Sequence, residues 1–206
     1  MAISASDAVC ANPEPKTPDG LRERILAVAV RMFAQRGFAA TSTREVVEAA
    51  GCTKPALYYH FTNKEGLFRE AVAAARARLD RVDAEACCGN GSFRLGLLRA
   101  FELLGEQVAN RPDDIRLLFR AEAMSWDDSD LVDTRSVRRA HLDLVEQMIR
   151  QGVTAGELRA DLPVEHAAIA LVGALHFQLQ LWLDGHGLAP DFGERILGIY
   201  LQGAGR

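Results

Sequence analysis

Between Thr43 and Lys64 the sequence gathers side chains whose chemistry suits a nucleic-acid surface. The Lys54 ammonium can reach guanine O6 or N7, and the methyl of Ala56 can touch that of a thymine. Thr43 and Arg44 supply a hydroxyl and a guanidinium for phosphate oxygens. Tyr58 and Tyr59 each join a flat apolar body to a hydroxyl that can reach a phosphate. Lys64 falls where the start of a helix and an ammonium would act together on an anion. Surface Lys, Thr and Tyr are usually only solvated, so the reading turns on what positions them.

Two short helices do so. Ser42 followed by Glu45 three residues on is a capping box, in which each end satisfies an orphan backbone donor of the other. It opens a helix that Gly51 ends. A second begins at Thr53, tolerates Pro55 in its first turn, carries Leu57, Tyr58 and Tyr59, and ends by Phe61. Two short helices across a Gly turn form the helix-turn-helix pattern, whose second helix points its N-terminal end into the major groove. Val46, Val47, Ala49 and Ala50 are small enough for a close crossing, and Cys52 fits a small buried site. A preceding helix is predicted from a cap at Thr17 or Asp19 to Gly37, with Leu21, Ile25, Val28, Met32 and Phe33 on one face. Asn63 caps a long fourth helix from Lys64 towards Ala86, and Gly89-Asn90-Gly91 breaks the chain after it.

Five further amphipathic stretches follow, and no period-two strand pattern interrupts them. The fold class is therefore all-α, with about nine helices: an N-terminal three-helix helix-turn-helix domain and a C-terminal bundle. The predicted boundaries are a disordered arm over 1–16, a DNA-binding domain over 17–66, and a body over 67–206. Charge divides the same way. Residues 16–82 hold 12 Lys and Arg against 7 Asp and Glu, net +5, whereas residues 83–206 are net −7. An anion-binding head on an acidic body is the reading. No run of 18 apolar residues occurs and the first dozen residues lack a signal-peptide pattern, so no membrane partner is expected. Four cysteines, Cys10, Cys52, Cys87 and Cys88, have no zinc spacing and read as free thiols of a cytoplasmic protein. A redox role for Cys87-Cys88 is the minor alternative.

The run from Gly37 to Leu67 resembles the DNA-binding domain of the TetR family of bacterial regulators. The likeness rests on Phe-Ala-Ala-Thr-Ser before the motif, Ala-Ala-Gly at its turn, Leu-Tyr-Tyr-His-Phe closing the recognition helix, and Asn-Lys-Glu-Gly-Leu opening the fourth. It is strong over residues 17–68 and only architectural beyond. Cys52 stands where Val is usual, which touches packing and not DNA contact. The resemblance implies a repressor on a pseudo-palindromic double-stranded operator, read by a homodimer and released by a small molecule. By position it makes Thr43, Arg44, Lys54, Ala56, Tyr58, Tyr59, His60 and Lys64 the DNA contacts. For Tyr59 and His60, packing under the fourth helix is an equal alternative. It also implies a pocket in the body, for which Phe101, Phe119, Trp126, His141, His176, Phe177 and Trp182 are candidates; core packing or the dimer seam competes at each. The last two helices, Pro163–Leu183 and Pro190–Gln202, are the expected dimer interface, with Ala167, Gly173 and Ala174 allowing close approach.

An enzyme in an all-α bundle is the rival class. Di-metal bundles use Glu-x-x-His pairs, and none of the five histidines has Glu three residues before it. HExxH, a Gly-rich phosphate loop and a nucleophile elbow are also missing. No enzyme activity, metal or cofactor is therefore expected. A helix-turn-helix protein that senses another protein, or nothing, stays open, because a pocket and a solid core have the same composition.

Overall fold

The computed structural model describes residues 20–87, 92–124 and 131–204, with only the backbone of 82–87 and 204. Among these, nine helices and no strand are found. They are α1 (Leu21–Arg36), α2 (Thr43–Ala50), α3 (Lys54–His60), α4 (Lys64–Cys87), α5 (Phe93–Asn110), α6 (Pro112–Met124), α7 (Thr134–Thr154), α8 (Val164–Leu183) and α9 (Phe192–Ala204). The 1–16 arm, Trp126 and the Cys87-Cys88 side chains lie outside the described residues, so the redox reading does too.

Two apolar clusters organise the helices. The first joins Ile25 and Phe33 of α1, Val46 of α2, Leu57 of α3 and Phe68 of α4 to Leu117 and Ala121 of α6. Phe33 and Phe38 both meet the edge of Phe68, with ring centroids 6.1 Å apart from each other and 5.1 Å from Phe68. This cluster runs along α4 through Leu67, Ala71, Val72 and Ala75, so α4 belongs to both ends of the molecule. The second gathers Phe93, Phe101, Ile149, Leu171 and Leu197 from α5, α7, α8 and α9. Arg78 and Asp114 tie α4 to α6 between the two. Arg78 donates from Nε to Asp114 Oδ2 and from Nη2 to Oδ1, each at 2.6 Å.

Three local expectations need correction. The first helix begins at Leu21 after an extended Gly20 that makes no side-chain cap; Thr17 and Asp19 lie outside the described residues. Of the four small residues of α2, Val46 and Ala50 are buried and Val47 half-buried, but Ala49 faces solvent. Successive side chains turn by 100°, so four residues spread over more than one turn cannot all face one partner. Ala167 turns into the second cluster, so only Gly173 and Ala174 remain on the exposed face of α8.

Among the described residues one helix, Val164–Leu183, is long and apolar enough to cross a membrane by length and composition, at a mean hydropathy of 1.3. His166, His176, Gln178 and Gln180 interrupt the apolar run without lowering the average below that level. Large apolar residues are exposed on α8 and α9: Ile169 is 50% and Phe177 64% exposed, and Ile199 of α9 74%.

Candidate nucleic-acid interface and cavity

The turn between α2 and α3 depends on Gly51, which adopts left-handed φ 60° and ψ 44°. There its N–H closes α2 onto Glu48 and Val47 carbonyls, an arrangement a Cβ would strain. Both helix starts are capped as the sequence predicts. Ser42 and Glu45 form the reciprocal box on α2, and Thr53 Oγ1 accepts from Ala56 N at 3.3 Å on α3. The Ser42 hydroxyl and then its backbone N–H hold the Glu45 carboxyl below its usual range, and Arg36 adds to this at 2.9 Å. Glu45 therefore stays anionic, held by its own cap and by Arg36.

Three side chains of the motif form one strip. Lys54 Nζ lies 5.9 Å from the Tyr58 ring centroid, and the Tyr58 hydroxyl is 3.5 Å from Thr43 Oγ1. Arg44 is exposed at the start of α2, and Ala56 half-buried at the start of α3. Tyr59 is 86% exposed, which overturns packing under α4 for it. The reason is angular: Leu57, two residues earlier, is fully buried, so Tyr59 points the other way. His60 is half-buried between Tyr59 and Phe61, at 5.1 and 6.3 Å between centroids. Lys64 sits apart from the strip. Its Nζ is 4.4 Å from the Phe38 ring centroid and donates to Ala39 O at 3.4 Å. The ammonium is thus held over the α1–α2 connection, not at the reading helix.

In the body, a cavity of about 520 Å³ opens among α4, α5, α6, α7 and α8. Phe101, Phe119, His141 and His176 all line it, as the sequence reading expects of a pocket. Phe177 does not; it faces solvent next to His176, because adjacent helical residues diverge by 100°. Trp182 lines a different hollow near α9, with Arg116 over its ring at 5.1 Å.

Sequence reasoning missed two features because both join distant segments. Glu122 of α6 and Arg138 of α7 pair on the cavity wall at 2.6 Å. Arg120, also on α6, donates from Nε to Ala34 O at 2.7 Å and from Nη2 to Gln35 O at 3.1 Å. Those are open carbonyls at the C-terminal end of α1, where a cation is favoured. The helix that walls the cavity is therefore bonded directly to the helix that braces the motif. The available signal was α6's alternation of basic and acidic residues, which reads equally well as a solvated face.

Comparison with known proteins settles the lineage. Residues 25–71 match the family model described as bacterial regulatory proteins, tetR family. The chain is 31% identical over 161 residues to the HTH-type transcriptional repressor ComR of Escherichia coli, covering 75% of this chain and 74% of that one. It is 30% identical over 185 residues to the HTH-type transcriptional regulator TtgR of Pseudomonas putida, covering 82% and 81%. The chain belongs to the TetR family. It is accordingly a helix-turn-helix DNA-binding transcriptional regulator, in a family of regulators and not of enzymes. Its fold is also that of solved relatives. A TetR-like regulator from Rhodococcus sp. RHA1 superposes with a TM-score of 0.74 at 25% identity, covering 89% of this chain and 94% of that one. A regulator from Saccharomonospora viridis in complex with choline reaches 0.75 at 21% identity, covering 90% and 97%, a likeness of fold alone.

Proposed function

We propose that this TetR-family regulator is a repressor that binds a pseudo-palindromic operator as a homodimer and leaves it when a small molecule enters the body. The observation that carries the reading is the open N-terminal end of α3, where Lys54 and Ala56 stand free of the core while Leu57 anchors the helix. Lys54 and Ala56 read base edges, with Arg44 behind them. Thr43, Tyr58, Tyr59 and Lys64 hold phosphates, and His60 supports Tyr59. The reading head is taken as residues 17–66 and the sensing body as 67–206.

The dimer forms through α8 and α9. Their exposed Ile169, Phe177 and Ile199, with Gly173 open enough to accept a neighbour, are the kind of apolar patch that marks a protein interface. A second copy is the fitting occupant because two-fold symmetry of the protein matches that of an operator, with recognition helices about 34–36 Å apart. Repression is favoured by ComR, whose name makes it a repressor. A small effector is favoured by the cavity. Coupling runs through α6, which carries Phe119 and Glu122 on the cavity wall and Arg120 on α1. A ligand that binds one position of α6 better than the other shifts the heads by its differential affinity.

The test is a pair of variants on an operator recovered by genomic pull-down with the purified protein. Lys54→Ala is expected to cost about 1–3 kcal/mol on that operator and to relax its sequence preference. Lys64→Ala weakens all DNA alike and lowers the salt slope by about one. Identical behaviour of the two variants would refute the division of roles. A monomer in sedimentation at micromolar concentration would refute the dimer.

A further inference from the structure

The reading of the cavity as an effector site, on which the following rests, does not say what enters it. The polar groups on its wall bear on that. Glu122 of α6, Arg138 of α7 and His176 of α8 converge there. Arg138 donates to Glu122 Oε1 from Nε at 2.9 Å and from Nη2 at 2.6 Å. His176 Nδ1 lies 4.0 Å from the same carboxylate, and its ring stacks on Phe119 at 4.6 Å. Arg76 of α4, also on the wall, donates from Nε to Asp80 Oδ1 at 2.7 Å. Among the described residues the formal charges of Arg138 and Arg76 are each matched by a carboxylate, Glu122 and Asp80. Much of the remaining wall is hydrocarbon, including Phe101, Leu104, Val145 and Met148.

This balance selects against ions. A charged ligand must compete for a member of one of these part-exposed pairs or carry its own charge against hydrocarbon, and even with solvent screening both are less favourable than seating an uncharged one. An uncharged ligand meets neither cost. A polar end on it still meets hydrogen-bonding groups, among them the His176 imidazole beside Phe119 on the wall. The size suits an ordinary small-molecule site, for which roughly 300–1,000 Å³ is typical. We infer that the cavity takes an uncharged, largely apolar molecule with one hydrogen-bonding end, seated against Glu122, Arg138 and His176.

Three fluorescent probes that share one ring system test this at neutral pH on the full chain: 1-pyrenemethanol, 1-pyrenecarboxylate and 1-pyrenemethylammonium. The alcohol is expected to bind about tenfold or more tightly than either ion. Val145→Phe, which fills the cavity from α7, abolishes that binding while helicity is retained; Ala100→Leu serves the same end from α5 if the first variant does not fold. Glu122→Gln removes the carboxylate that balances Arg138 and so moves the preference towards the carboxylate probe by about tenfold, an effect mere loss of packing would not produce. An ion that binds as tightly as the alcohol, or no change of preference in Glu122→Gln, overturns the inference and leaves the effector site standing. Binding of every probe that survives both filled-cavity variants, or no binding by any probe, overturns the effector site as well.

Discussion

The two clusters use the same kinds of residue, yet one closes around a motif and the other supplies more of the wall of a hollow, which the first reaches through Val72 and Ala121. In the head, Phe33, Leu57, Leu67 and Phe68 are all but fully buried in one cluster. In the body, Phe119 and His141 are only half-buried at a cavity of about 520 Å³, and Phe177 and Ile199 face outwards. The head is thus built to hold one shape. The body keeps unfilled space and an uncovered face, which is what a part that meets a ligand and a second subunit needs.

The largest expected effect tests this contrast through stability. Phe33→Ala deletes a ring packed by Phe38 and Phe68 and should cost about 3–5 kcal/mol. Phe119→Ala only enlarges a space that already exists and should cost about 1–2 kcal/mol, the transfer of a part-exposed ring. Urea unfolding at one fixed protein concentration measures both, since dimers gain stability with concentration. Equal costs would mean that the body is as tightly packed as the head, and the contrast would fall.

What the sequence makes legible follows the same line. The capping box at Ser42–Glu45, the αL turn at Gly51 and the Thr53 cap are all decided within a few residues, so periodicity and turn chemistry reveal them. The helices of the body are equally local and equally visible. How those helices pack is not. Phe119, His141 and His176 come to one cavity and Phe177 does not, a difference of a single 100° step on α8 that composition cannot express. Arg120 on Ala34 and Gln35 joins segments far apart in the chain, and nothing near either end announces it. Lys64 shows a milder form of the problem: its charge was visible, but its seat on Phe38 was not.

The seam between the two parts gives the next effect. Asp114 is 3% exposed and meets Arg78 through two bonds. Asp114→Asn leaves a part-buried guanidinium without its counter-charge and should cost about 3 kcal/mol. Replacing both residues with apolar ones of similar size, as in Arg78→Met with Asp114→Leu, should recover much of that loss. A double variant as unstable as the single one would show that the pair fixes the α4–α6 geometry by more than cancelling charge, and would place the stiffest joint between head and body, not inside the head.

The smallest effect lies at the far end of the body. Glu157, in the α7–α8 connection, caps the start of α5. Its carboxylate accepts from Phe93 N at 2.9 Å, Arg94 N at 3.2 Å and Ser92 Oγ at 2.9 Å. Partial burial pushes its pKa up, but the bonds from Arg94, Ser92 and Phe93 outweigh that and hold it below the usual carboxylate range. A folded-state pKa below the unfolded one stabilises the fold above the unfolded pKa, and that contribution disappears as pH falls through the folded value. Glu157→Gln should therefore be less stable by about 1 kcal/mol at neutral pH, the ordinary worth of a helix cap, reduced where solvent screens it. Urea midpoints taken from neutral pH down through the carboxylate range should show the gap between the two proteins closing. A gap that stays constant with pH would mean that shape alone, and not charge at the helix end, joins α5 to the α7–α8 connection, and the body would then owe more to close packing than its hollow implies.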